Sequence, residues 1–102
     1  MTIFEVLADG SRRRILDLLR ERERAAGELV DALELSQPAV SRHLRVLREA
    51  GLVEARVDAQ WRRYRLRSDA LRELDEWLEP YRLVWSGRLD ELERHLDEME
   101  GA

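Results

Sequence analysis

The chain of 102 residues contains no cysteine and no lysine, only two prolines, two histidines and a single phenylalanine. Without cysteine there is no disulfide, no thiolate metal site and no thiol redox switch, which excludes a secreted, disulfide-stapled domain as well. No apolar run approaches the ~20 residues that a membrane span requires. The opening MTIFEVLADG carries neither a basic segment nor a cleavage pattern for export. A cytosolic protein is expected, with no membrane partner. Also missing are a Ser/His/Asp set, a glycine-rich phosphate loop and a two-histidine motif, so the expectation is of a protein that is not an enzyme and carries no cofactor. What is present, 44% hydrophobic and 39% charged residues, suffices for one compact domain over 1–102 and no second.

The formal net charge of −4 argues against a polyanionic partner, but its distribution reverses that argument. Residues 1–35 carry −2, residues 36–67 carry +5 and residues 68–102 carry −7. A basic middle therefore sits between acidic flanks. All 18 basic residues are arginine, which is what a GC-rich genome produces and is also the side chain suited to bidentate contacts with phosphate and guanine.

The apolar spacing divides the chain into helices with one interruption. Ile3, Phe4, Val6 and Leu7 predict a short helix over about 2–8. Asp9 then caps a second helix with Ile15, Leu18 and Leu19 on one face, and the charged stretch from Arg20 to Arg24 marks its solvated end. Leu29, Val30 and Leu33 give about two turns of a third helix. Ser36 is an N-cap candidate, Pro38 sits just inside the start, and Val40, Leu44 and Leu47 run at i, i+4 and i+7 until Gly51. The period then changes to two. Val53, Ala55 and Val57 alternate with Glu54 and Arg56, Asp58-Ala59-Gln60 turns, and Arg62, Tyr64 and Leu66 alternate with Trp61, Arg63 and Arg65. Over 69–99 a helical seam follows through Leu71, Leu74, Leu78, Tyr81, Trp85, Leu89, Leu92, Leu96 and Met99, with Pro80 expected to kink or divide it.

This order predicts a mainly α protein with a small β-hairpin wing, a winged helix-turn-helix. Its DNA-binding core would occupy about 9–67, and helices at about 2–8 and 69–99 would join two copies. The first turns of a helix entering the major groove must offer short hydrogen-bonding side chains and arginine to base edges. Ser36, Gln37, Ser41, Arg42, His43 and Arg45 meet that need. Arg56, Arg62, Arg63 and Arg65 on the hairpin would add sequence-independent attraction to phosphate. For Arg12, Arg13 and Arg14 two readings stand, phosphate contact or pairing with Glu5, Asp9 and Asp17. His43 either bonds DNA or borders the core, and Trp61 and Tyr64 either pack the wing or touch DNA. The apolar seam, with Phe4 from the first helix, reads as a homodimer interface. Trp77, Tyr81 and Trp85 could instead line a pocket for a small apolar effector. A different class of reading is a protein-interaction module whose acidic, heptad-patterned tail binds a partner helix.

The segment Leu35-Ser36-Gln37-Pro38-Ala39-Val40-Ser41-Arg42-His43-Leu44-Arg45-Val46-Leu47-Arg48-Glu49-Ala50-Gly51-Leu52-Val53 closely resembles the recognition segment of ArsR-type transcriptional regulators. Ala8-Asp9-Gly10-Ser11-Arg12-Arg13-Arg14-Ile15-Leu16 is similar to the family's early "ALADPTRRRIL" element, and Trp61-Arg62-Arg63-Tyr64-Arg65-Leu66 to its second wing strand. Roughly residues 2–67 are covered. The resemblance implies a homodimeric winged helix that usually represses transcription by covering its operator on double-stranded DNA.

Departures from the family pattern matter too. Where metal-sensing members carry a "CVC" element this chain has Ala25, Ala26 and Gly27. The carboxy-terminal Asp/His/Glu site has no counterpart beyond His95 beside Asp90, Glu91 and Glu93, a poor ligand set. No metal is expected. Gly10 replaces the family's proline, and Ala59 stands at the wing tip where glycine is common. The stretch Leu71 to Trp85, followed by Leu89-Asp90-Glu91-Leu92-Glu93, resembles a metal-free branch with a longer tail.

Overall fold

The computed structural model describes the backbone of residues 1–100 and the side chains of these residues other than 88–90 and 100. Five helices and three strands follow in the order α1 (Ile3–Ala8), α2 (Gly10–Glu21), β1 (Arg24–Ala25), α3 (Ala26–Leu33), α4 (Gln37–Glu49), β2 (Val53–Asp58), β3 (Trp61–Leu66) and α5 (Leu71–Glu100). The chain divides into two compact units, one of residues Met1–Arg72 and a second beginning at Glu73.

Each of the first helices starts on a side chain that satisfies an otherwise orphaned backbone N–H. The Thr2 hydroxyl accepts from the Glu5 N–H at 3.2 Å while the Glu5 carboxylate accepts from the Thr2 N–H at 3.4 Å, closing a capping box. Asp9 does the same for α2, its Oδ1 accepting from the Arg12 N–H at 3.0 Å. The far end of α1 is held by arginines of the next helix. Arg12 donates to the carbonyls of Val6 and Glu5 at 2.7 and 3.2 Å, and Arg13 to those of Leu7 and Ala8 at 2.7 and 3.0 Å. Among the described residues the two side chains thus form no ion pair with Glu5, Asp9 or Asp17, against one expectation, and instead complete the carbonyl end of a helix only six residues long.

The core of the first unit draws on all four helices before α5 and on β2 and β3. Ile3 and Val6 of α1, Ile15 and Leu19 of α2, Leu29 and Leu33 of α3, and Val40, Leu44 and Leu47 of α4 are buried together with Leu52, Val53 and Tyr64. Burying side chains of this size stabilises the fold by roughly 1.5–3 kcal/mol each before entropy is counted. Tyr64 thus packs the wing to the body as one sequence reading had it. Trp61 does not, being 65% exposed.

The wing is a three-stranded antiparallel sheet in the order β1-β3-β2, not the two-stranded hairpin expected. Arg24 pairs with Tyr64 and Ala25 with Arg63. The end of the charged stretch from Arg20 to Arg24, expected to be solvated, is therefore drawn into the sheet. The Arg24 side chain is only 13% exposed, and its Nε donates to the Leu18 carbonyl at 3.0 Å. Beyond the wing, α5 runs as one continuous helix with Pro80 inside it, so the proline does not divide the tail. Leu71 at its start packs against the core of the first unit.

Two stability predictions follow. Leu44→Ala should cost about 2–5 kcal/mol in denaturant unfolding, because Leu44 is 1% exposed and its loss leaves a cavity. Asp9→Ala should cost about 1 kcal/mol by removing the α2 cap. The Arg12 N–H bond holds the Asp9 carboxyl below its ordinary 3.8, against the opposing effect of burial and with electrostatic help from His43 and Arg12. A depressed folded-state value means that this stability is complete above the unfolded carboxyl's range and is lost as pH falls through the folded value. Asp9→Ala and the parent should therefore converge in stability in acid titrations below about pH 4.

Candidate nucleic-acid interface

The helix-turn-helix is built from α3, a tight link and α4. Glu34 ends α3 in the left-handed region at φ 56°, its N–H still donating to the Val30 carbonyl at 3.0 Å. Leu35 and Ser36 then turn the chain. The Ser36 hydroxyl accepts from the Ala39 N–H at 3.2 Å, and Pro38 lies in the first turn, where a missing N–H costs nothing. Ser36 is therefore committed first to opening the helix, with its hydroxyl hydrogen and a second lone pair left to face outward.

Once opened, α4 has two unlike faces. Val40, Leu44 and Leu47 are 0, 1 and 0% exposed and fix the helix against the core. Gln37, Ser41, Arg42 and Arg45 are exposed on the other side. Among the described residues no hydrogen bond or ion pair engages Arg42, and Arg45 has only a loose 3.8 Å pairing with Glu49 one turn on. Five expected contact residues, Ser36 included, are thus brought to one exposed helical surface. His43 departs from them: it is half-buried, and its Nδ1 is enclosed with no hydrogen-bond partner. That enclosure favours the core-edge reading.

The wing arginines fall on both faces of the sheet. The register sets Val53 against Leu66, Ala55 against Tyr64 and Val57 against Arg62, while Glu54, Arg56 and Asp58 face Arg65, Arg63 and Trp61. Arg62 therefore shares the side of Tyr64, and Arg56, Arg63 and Arg65 lie on the other. Arg56 pairs with Glu23 at 2.9 Å, and Arg65 pairs with Glu54. Among the described residues neither Arg62 nor Arg63 has such a partner, and since Arg62 is exposed and Arg63 half-buried, Arg62 is the wing cation freest to meet an external anion. Sequence alternation could place these residues on faces, but the carboxylate from Glu23 comes from outside the hairpin and gave no local signal.

At the opposite edge of the sheet, Ala25 precedes α3 and Ala26 and Gly27 open it. The Glu28 carboxylate accepts from the Ala25 N–H at 3.4 Å and pairs with Arg22 at 2.9 Å, and these two contacts hold its carboxyl below the ordinary range. None of residues 25–27 carries a side-chain ligand atom, so this position does not fit a thiolate-bound metal. On α5 the expected interface residues Tyr81, Trp85, Leu92 and Leu96 are exposed, and Leu74 and Leu78 are half-buried. The side chain of Leu89 lies outside the described residues. Phe4 on α1 is 40% exposed. Sequence reasoning missed Val84, 53% exposed, which lies one turn from Tyr81 on the apolar side of the helix. Trp77 and Tyr81 stack with ring centroids 4.8 Å apart at 37°.

A family model described as bacterial regulatory protein, arsR family, matches residues 9–55. The arsenic resistance transcriptional regulator ArsR1 of Pseudomonas putida is 43% identical over 90 residues, covering 76% of this chain and 70% of the relative. The transcriptional repressor SdpR of Bacillus subtilis is 30% identical over 76 residues, covering 74% and 84%. A solved ArsR-like transcriptional regulator from Rhodococcus sp. RHA1 aligns with a TM-score of 0.70 at 30% identity, covering 90% of this chain and 87% of that one.

The wing tip supplies a local prediction. Ala59 sits at φ 55°, a left-handed conformation that costs an L-residue roughly 1–2 kcal/mol, while glycine loses part of that gain to chain entropy. Ala59→Gly should stabilise the protein by about 0.5–1 kcal/mol, read as a rise in Tm of a few degrees.

Proposed function

The chain belongs to the arsR family of bacterial regulatory proteins, DNA-binding regulators of transcription, and on that premise we propose that it is a homodimeric repressor covering an inverted-repeat operator in the cytoplasm. In this reading the outward face of α4 reads base edges in the major groove, and the wing holds the flanking backbone. The observation that carries it is the division of α4: a stripe buried to within 1% of complete fixes the helix, and Gln37, Ser41, Arg42 and Arg45 are left exposed on it. Arg42 carries base discrimination, because an unengaged guanidinium can meet guanine O6 and N7 bidentately. Arg62 carries sequence-independent attraction. Arg56 and Arg65 contribute less, since each must give up a carboxylate first, and His43 acts through the seating of α4.

Dimerisation uses α1 and the apolar side of α5, about residues 2–8 and 69–99. Support comes from Tyr81, Val84, Trp85, Leu92 and Leu96, each about half or more exposed on one helix. Exposed apolar side chains of this size on one helix are costly to leave in water. Cysteine-based metal sensing forms no part of the mechanism.

Purified protein titrated onto a labelled duplex from upstream of its own gene, at two salt concentrations and against scrambled DNA, tests the reading. Specific binding that weakens steeply with salt is expected. Folded protein bound to neither duplex at low salt would move the function to protein interaction through the acidic tail. Arg42→Ala should lose about 1–3 kcal/mol of discrimination between operator and scrambled DNA, whereas Arg62→Ala should weaken both about equally. Leu92→Glu should give a monomer in sedimentation while helical content is kept, because it places charge in the proposed interface.

A further inference from the structure

Beside the C-terminal turns of α4 an open cleft of about 480 Å³ is lined by Arg45, Arg48, Glu49, Glu54 and Arg67 among others. Its shape follows from how α4 ends. Gly51, at φ 76°, terminates the helix, and the Leu52 N–H bonds back to the Leu47 carbonyl at 3.0 Å. The chain therefore turns straight into β2 and sets Glu54 near the helix it has just left. The Arg67 N–H donates to the Leu52 carbonyl at 2.8 Å, which pins the residue after β3 at the same place.

Three guanidiniums and two carboxylates face this space, and the carboxylates are already engaged. Glu54 takes Arg65 and, at 3.7 Å, Arg67, while Glu49 lies 3.8 Å from Arg45. Among the described residues no hydrogen bond or ion pair engages Arg48. Arg67 is also paired with Asp69 at 3.2 Å, so the uncompensated positive charge in the cleft rests on Arg48, with the planar donors that suit phosphate oxygens. Its volume exceeds that of a single water many times over, enough for a phosphate group with part of its hydration. An apolar ligand would find charged walls, and a cation would meet more guanidinium than free carboxylate.

We propose that this cleft is a phosphate-binding site, occupied by a backbone phosphate of the DNA duplex lying across α4. The inference rests on the reading of α4 as the DNA-contacting helix. Arg45 belongs both to the cleft and to the exposed face of that helix, which favours a DNA phosphate over a free anion. Arg48 and Arg67 then fix the register of the duplex without reading bases.

Fluorescence anisotropy of the full chain, its Arg48→Gln and Arg67→Gln variants and the double variant tests this on specific and scrambled duplexes over a range of salt. Matched thermal melts establish that the variants are folded. Arg48→Gln should lose about five- to tenfold in affinity on both duplexes alike, with the slope of log K against log salt shallower by about one, and Arg67→Gln should lose less on both counts because its guanidinium must first give up Glu54 and Asp69. Inorganic phosphate should compete no better than chloride at equal ionic strength. Wild-type affinity and slope in the folded double variant would overturn the proposal while leaving the α4 reading intact. Inorganic phosphate that stabilises the wild type but not the double variant in thermal melts, while the two bind DNA alike, would overturn the DNA phosphate as occupant. Salt-insensitive or absent DNA binding by the wild type would instead remove the reading on which the proposal rests.

Discussion

The seating of α4 through Val40, Leu44 and Leu47 is the constraint on which the rest depends. A groove-reading helix must present its polar side chains at fixed positions, and a helix of 13 residues has marginal stability of its own in water. Its rigidity comes from the buried stripe and from the Ser36 cap. Burial of Leu44 and Leu47 against α2 and α3 elements of the core thereby sets where Arg42 and Arg45 stand. The same stripe fixes the helix end, so that Gly51 and Leu52 can send the chain directly into the wing.

Around this helix the arginines divide by their local partners rather than by their position in the sequence. Arg12, Arg13 and Arg24 hydrogen-bond to backbone carbonyls and serve the fold. Arg56, Arg65 and Arg67 are held by carboxylates at the surface, interactions worth little to stability but able to orient a long side chain. Arg42, Arg48 and Arg62 have no hydrogen bond or ion pair among the described residues. The structural cations lie ahead of the basic middle segment, and that segment itself supplies the pre-oriented and uncommitted cations available to a polyanion.

Much of this was legible in the residues. The period of 3.6 through Val40, Leu44 and Leu47, the Ser36 start and the alternation after Gly51 specify α4 and the two long strands, because each signal is local. Asp9 as a cap is legible for the same reason. What was not legible is non-local. A two-residue strand such as Arg24–Ala25 exists only because β3 pairs with it. The carbonyl partners of Arg12 and Arg13 depend on the angle between α1 and α2, and the Arg56 pairing spans 33 residues. His43 lies at the edge of the helical stripe, where sequence spacing cannot decide between core and groove. For Pro80, intrinsic propensity opposes a helix interior, yet α5 continues through it.

Hydroxyl-radical footprinting of the protein on DNA from upstream of its own gene tests the central claim most directly. Two copies of a rigidly seated α4 related by a two-fold axis should protect two symmetric half-sites on one side of the duplex, their centres about 10 bp or a multiple of it apart. Folded protein that leaves every position uniformly cleaved would contradict the account, as would protection of a single unpaired site.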